Sequence, residues 1–216
     1  MEKGFFIAIE GPDGCGKSTQ IKKLKAFLEE KGYEVFLTRE PGGTPIGEDI
    51  RKLLLLPREE ALSPLTELLL FEAARAQHVE KVLRPALSEG KIVVASRYLD
   101  ATVAYQHGGR GLPLDLVDQA NRIGSAGLKT DLTIILDLDC ALGLKRAAAA
   151  AGKDLPEGSL DRIESAGLSF HEKVRKAYLD LAAREKSRCV VVDGSGTVEE
   201  VFSSIARIVL GRLLDA

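Results

Sequence analysis

Gly11-Pro-Asp-Gly-Cys-Gly-Lys-Ser18 matches the pattern G-x-x-x-x-G-K-[ST]. Glycines at these positions let consecutive backbone N–H groups wrap around phosphate oxygens, and the start of a following helix adds its own free N–H groups. Lys17 at this spacing reaches the β- and γ-phosphates of a nucleoside triphosphate, and the Ser18 hydroxyl ligates Mg²⁺. The surroundings agree: the apolar run Phe5–Glu10 reads as a strand before the loop, and helical spacing begins at Lys17. The motif therefore predicts binding of an NTP with Mg²⁺. The candidate contacts are Gly11, Pro12, Asp13, Gly14, Cys15, Gly16, Lys17, Ser18 and Thr19, with Ser18 as the metal ligand.

A second set of residues suits another anion. Arg39-Glu-Pro-Gly-Gly-Thr44 follows a second β-rich run, and Arg97 follows a third in the same way. Those are the strand ends at which open α/β sheets bind ligands. Arg75 lies one helical turn after Phe71, so the two share a face. Singly, Phe71 reads as core and Arg75 as a solvated charge. As a group with Asp13, three arginines and an aromatic ring can converge on one pocket. Arginine forks suit phosphate and base carbonyls, and an aromatic face suits a nucleobase. A GTPase is disfavoured: Leu128-Lys-Thr-Asp131 has leucine where a guanine-reading N-K-x-D motif needs asparagine.

The elements that must position these groups are legible as alternating runs. β-rich stretches occur at Phe5–Glu10, Glu34–Thr38, Lys91–Ser96, Leu132–Asp137 and Cys189–Asp193. Four of them (FFIAI, IVVA, LTIIL and CVVV) are continuously apolar, which predicts strands buried on both faces. Helical spacing covers Lys17–Lys31, closed by Gly32, and Pro64–Glu89, with Ser63 as N-cap and Gly90 at the end. It also covers Asp115–Ile123, Ala141–Ala151, Ser165–Glu185 and Val198–Leu214. Strands alternating with helices predict an α/β fold: a five-stranded parallel sheet flanked by helices on both faces, of the P-loop NTPase type. Gly152–Leu160 reads as a mobile segment or a surface loop, and Gly108–Gly111 with Arg110 reads as a surface turn or as a loop near substrate.

Composition bounds the rest. A chain of 216 residues is expected to be one domain and can bury about 70% of its unfolded surface. Thirty Lys and Arg against 32 Asp and Glu give a net charge of −2, which argues against a general nucleic-acid or membrane binder. Cys15, Cys140 and Cys189 form no CxxC pair, so neither a disulfide framework nor a zinc site is expected. Cys15 reads as a small filler whose thiol the nearby Lys17 could acidify. His78, His107 and His171 have no metal-ligand spacing. No signal-peptide pattern or membrane-length apolar run is evident, which predicts a cytoplasmic protein.

The segments FIAIEGPDGCGKSTQ, TREPGGTPIGEDIR, LLLFEAARAQH, SRYLDATVAYQHGGRGL, LKTDLTIILDLD and LDRIE, in this order and spacing, resemble the thymidylate kinase family over nearly the whole chain. The resemblance implies phosphorylation of dTMP to dTDP with ATP and Mg²⁺ on the path to dTTP, and a homodimer. By resemblance, Phe71 would stack on thymine, Arg75 would bond a base carbonyl and Gln106 would contact the base edge. Arg39 and Arg97 would hold the 5′-phosphate, Asp13 the sugar or phosphate region, and Tyr105 would crowd the 2′ position. Thr102 would line the same pocket, and Pro41 would shape the loop through a cis or a trans bond. Residues 146–162 would form the lid over ATP, with Asp193-Gly-Ser195 near adenine.

Two departures from the family pattern stand out. Ser96-Arg97-Tyr98 has serine where the family has aspartate, with Asp100 as a possible substitute. The lid's arginines are replaced by Ala147–Ala151, leaving Arg146 and Lys153 as candidate catalytic cations beside Lys17 and Arg97. Two rival readings remain: another nucleoside-monophosphate kinase, for example one accepting dUMP, or a nucleotide-binding regulator that has lost catalysis.

Overall fold

β1 (Phe5–Glu10) explains why its sequence lacks polar alternation. In the computed structural model, which describes residues 4–57, 59–150 and 161–214, both of its faces are covered. Ile7 and Ile9 point to one face, against α1 (Lys17–Glu30) and α9 (Val198–Leu214). Phe6 and Ala8 point to the other, against Val79, Leu83, Ala86 and Tyr98. The remaining strands are β2 (Val35–Arg39), β3 (Ile92–Ser96), β4 (Leu132–Asp137) and β5 (Cys189–Asp193). All pair in parallel, in the order β2-β3-β1-β4-β5. The three central strands are buried almost throughout, as expected. The CVVV run is different: β5 lies at an edge, and Val191 is 41% exposed.

Several helices differ from their sequence-based bounds. α3 (Pro64–His78) starts as read, with Ser63 Oγ accepting from Thr66 N at 3.1 Å. It then passes through a π-helical turn at Val79–Leu83 into α4 (Arg84–Ser88). The segment read as one helix from Ser165 is a 3₁₀ turn, Glu164–Ala166, followed by α8 (Leu168–Arg184). Gly167 separates them at φ 86°, a conformation that favours glycine. α6 (Leu114–Gly124) and α7 (Cys140–Ala150) lie where expected.

Two helical segments had no sequence counterpart. α2 (Pro45–Leu55) follows the Pro-Gly-Gly turn, with Thr44 Oγ1 accepting from Gly47 N at 3.0 Å. α5 (Leu99–Thr102) continues as a π-helical turn, Val103–Gly109. Gly108 and Gly109 therefore belong to a helical turn pressed against α8, not to a surface loop. A Cβ on Gly108 would sit 2.4 Å from the Ala177 Cβ. Residues 151–160, which contain Lys153, Gly152–Leu160 and most of the expected lid, lie outside the described residues. Among the described residues, no helix is long and apolar enough to cross a membrane, and Cys15, Cys140 and Cys189 are buried and free.

Candidate active site

The strand order brings the ends of β1, β2 and β3 together at one cleft of about 1230 Å³. One end is lined by Asp13–Gln20 with Gly194, Gly196, Thr197 and Val198. The other is lined by Arg39, Pro41, Arg51, Phe71, Arg75, Arg97, Thr102, Tyr105 and Gln106.

At the first end the loop Gly11–Gly16 is a cradle of left-handed glycines. Gly16, at φ 95°, opens α1 and faces free space. Gly14, at φ 71°, lets the loop touch α7, since a Cβ there would sit 1.9 Å from Gly143 O. Lys17 folds back over the loop, donating to Gly11 O at 3.0 Å and Pro12 O at 2.9 Å, with its Nζ 3.6 Å from Cys15 Sγ. Cys15 is 3% exposed, in keeping with a filler. The Ser18 side chain is exposed at the cleft. These groups fit an NTP with Mg²⁺. Among the described residues, no cluster of three His, Cys, Asp or Glu side chains could hold a metal, and Ser18 is the side chain here that would help hold a phosphate-bound Mg²⁺.

The second end is organised around Arg97. Its backbone is left-handed, φ 70°, a strained conformation for an arginine. Two bonds fix that turn: Arg97 N donates to Ile9 O at 3.1 Å, and Tyr98 N donates to Glu10 Oε1 at 2.6 Å. The guanidinium donates to Asp13 Oδ1 at 2.5 Å, Tyr105 Oη at 2.8 Å, Tyr178 Oη at 3.1 Å and Gly11 O at 3.2 Å. Tyr105 in turn donates to Asp13 Oδ2 at 2.9 Å, and Tyr178 to Glu10 Oε2 at 2.8 Å. Burial, reinforced by Asp100, pushes the Glu10 carboxyl up to about 7. Burial also acts to raise Asp13, but Arg97, Lys17 and the Tyr105 hydroxyl together hold it below the usual carboxylate range.

Arg75 is not the solvated charge its sequence position suggests. It is 1% exposed, and all five of its N–H groups are engaged: by Glu40 (2.8 Å), Glu72 (2.6 Å), Asn121 (2.8 Å), Thr102 Oγ1 (2.8 Å) and Tyr98 O (3.2 Å). His78 Nδ1 lies 3.0 Å from the second oxygen of Glu40, behind this network. Phe71 is half-buried, lining the cleft with its back against the apolar cluster of α8. The Glu40–Pro41 bond is cis. Around it stand Arg39, exposed and paired with Glu48 at 2.9 Å, and Arg51, which donates to Pro41 O at 3.0 Å. Burial, with Arg39 close by, lowers the Arg51 pKa, against the pull of Glu48 and Asp161.

Other expectations are corrected. Asp100 cannot stand in for the aspartate replaced by Ser96. It is 1% exposed, and Arg188 grips both its oxygens at 2.7 and 2.8 Å because Arg188 enters from the β5 side. Asp193 does not line the cleft: its carboxylate turns onto its own loop, accepting from Ser195 N at 2.9 Å, while Gly194 and Gly196 face the cavity. Arg110 is no surface turn residue but holds the buried Glu67 through two bonds of 3.0 Å. Arg146 is exposed and lines the cleft from α7. Sequence reasoning passed over Arg51, Glu10, Tyr178 and Glu67. A signal existed for two of them. Arg51 shares a helix face with the buried Gly47 and Leu54, and Tyr178 lies in phase with the buried Val174 and Leu181.

A parallel sheet with a glycine-rich loop between its first strand and helix, facing a second cationic pocket across one cleft, defines a P-loop phosphotransferase. A family model described as thymidylate kinase matches residues 9–205. The chain is 50% identical to a thymidylate kinase of Geotalea daltonii over 210 residues, 97% of this chain and 98% of that one. It is 46% identical to a thymidylate kinase of Geobacter sulfurreducens, again with 97% and 98% covered. Its fold is similar to the crystal structure of thymidylate kinase from Ehrlichia chaffeensis, with a TM-score of 0.77 at 31% identity, covering 96% and 99% of the two chains. The chain belongs to the thymidylate kinase family.

Proposed function

We propose that this chain transfers the γ-phosphoryl group of ATP to dTMP, giving dTDP and ADP. One observation carries the reading: a single cleft joins the Gly11–Ser18 cradle to the cationic pocket of Arg39, Arg51 and Arg97, so two phosphorylated ligands can meet end to end. An oxygen of the dTMP phosphate forms the new bond to Pγ while the bond from Pγ to the β,γ-bridging oxygen breaks. That nucleophile is already anionic, so no strong general base is required. Catalysis then rests on alignment and charge neutralisation.

At the donor end, the loop N–H groups would hold the triphosphate, Lys17 would leave its carbonyl partners for the β- and γ-phosphates, and Ser18 would help hold Mg²⁺. The ion would supply charge neutralisation at the phosphate oxygens. At the acceptor end, Phe71 would stack on the base, with Gln106 and Thr102 along its edge and Arg75, whose five N–H groups are already engaged, bracing them from behind rather than bonding a base carbonyl. Arg39, Arg51 and Arg97 would bind the 5′-phosphate, and Asp13 and Tyr105 would face the sugar. Arg146 and Lys153 would bring positive charge from the lid side. The reading also takes the protein as a cytoplasmic homodimer. The exposed Ile46 and Leu53 of α2, Leu65 and Leu69 of α3, and Leu116 and Ile123 of α6 support the dimer, because these helices are neighbours.

The test is ADP release from ATP·Mg²⁺ with dTMP, dUMP, dCMP, AMP and GMP in turn. Preferential turnover of dTMP is expected. Preference for another acceptor, or binding with no turnover of any acceptor, would overturn the reading.

A further inference from the structure

Glu67 takes no part in the chemistry above, yet four donors converge on it. It is 1% exposed. Gln106 Nε2 donates to Oε1 at 2.9 Å, Arg110 donates to both oxygens at 3.0 Å, and Arg162 Nη2 donates to Oε2 at 2.5 Å. Arg162 also donates to Leu54 O at 2.8 Å. The carboxylate is thus locked between α2, α3, the Val103–Gly109 turn and the start of the 161–166 segment. Burial opposes its charge, but Arg110, Gln106 and Arg162 lower its pKa, so it stays ionised.

An ionised carboxylate can only accept hydrogen bonds. The Gln106 amide must therefore meet it nitrogen first. That leaves Oε1, an acceptor, as the end available to a ligand in the cleft that Gln106 lines. We propose that Glu67 is the positioning residue that sets base selectivity: by fixing the Gln106 amide, it makes the acceptor site select pyrimidine monophosphates bearing a ring N3–H, as in thymine and uracil. It rejects cytosine, whose N3 offers a lone pair to the same oxygen. This rests on the reading of Gln106 as a base contact in the dTMP pocket.

Glu67→Gln tests it sharply. Of the three side chains on Glu67, only Gln106 has an acceptor, because both arginines are donors alone. The new amide nitrogen is satisfied only if Gln106 turns its oxygen inward and presents Nε2 to the base. The ratio of kcat/KM for dTMP over dCMP is expected to fall about tenfold or more, mainly through KM for dTMP, with KM for ATP nearly unchanged. In a Gln106→Leu background the same substitution should leave the ratio unaltered, since the reader is gone. A folded E67Q protein with an unchanged ratio, or a further fall in the Gln106→Leu background, overturns the proposal.

Should E67Q fail to fold, Glu67→Asp reads the same ratio, because it withdraws the carboxylate from Gln106 while keeping its charge. A lowered ratio supports the proposal and an unchanged one overturns it. Wild-type protein that does not turn over dTMP would count against the proposed function instead. Calorimetric binding of dTMP and dCMP to the wild-type and E67Q proteins would then decide the role of Glu67.

Discussion

At the acceptor end of the cleft, charge sits in closed networks: Arg97 touches Asp13, Tyr105, Tyr178 and Gly11 O, and Arg75 has all five donors engaged. At the donor end, Lys17 leans on two carbonyls of its own loop, and Ser18 and Arg146 are exposed. The first arrangement fixes side chains before any ligand arrives, which favours selection by shape and hydrogen-bond polarity. The second leaves cations in partnerships that phosphate oxygens can replace, which suits groups that must follow a phosphoryl group as it is transferred. The difference separates a fixed, buried network from cations that a phosphate can recruit.

The largest effect should come from breaking the network. Arg97→Ala removes the group that joins Asp13, Tyr105 and Tyr178. It should lower kcat/KM for dTMP by about a thousandfold while the dissociation constant for ATP changes little. Steady-state kinetics together with ATP titration checks this, and equal losses for both ligands would blur the two ends into one.

Removing the cations proposed for the lid side should act on the other side of the divide. Arg146→Ala or Lys153→Ala should lower kcat about tenfold or more with KM for dTMP nearly unchanged. If neither does, the catalytic cation lies elsewhere.

A third prediction concerns Glu10, whose carboxyl rises to about 7 on burial from a usual value near 4.5. The folded state then binds more protons than the unfolded one between those values. The stability from this group is complete below about pH 4.5 and lost as pH rises through about 7, amounting to about 3 kcal/mol. Urea unfolding at pH 5 and pH 8 should show that slope in the wild type and a flatter one in Glu10→Gln.

The smallest effect is expected at Ser96. Asp100 is locked by Arg188 and cannot replace the missing aspartate, so Ser96→Asp should preserve or raise kcat for dTMP. A large loss with folding intact would show that serine is required there.

The contrast also marks what could be read from sequence. The phosphate cradle is contiguous, so glycine spacing, strand and helix were visible together at Gly11–Ser18. β1, β3 and β4 were visible because central strands are apolar on both faces. The state of Arg75 was not, because its partners Glu40, Tyr98, Thr102 and Asn121 come from three segments that only the fold brings together. The π-helical turns at Val79–Leu83 and Val103–Gly109 have no local signature, since packing against neighbouring elements selects them. α2 was missed although Thr44-Pro45 is a sound helix start, because the preceding Pro-Gly-Gly turn dominated the local pattern.

The most direct test of a preformed acceptor end is calorimetric binding of dTMP with and without a non-hydrolysable ATP analogue. A fixed network predicts that dTMP binds the free protein with a Kd within about threefold of its value with the analogue present. Failure of dTMP to bind until the analogue is added would contradict it and place the assembly of both ends under the control of ATP.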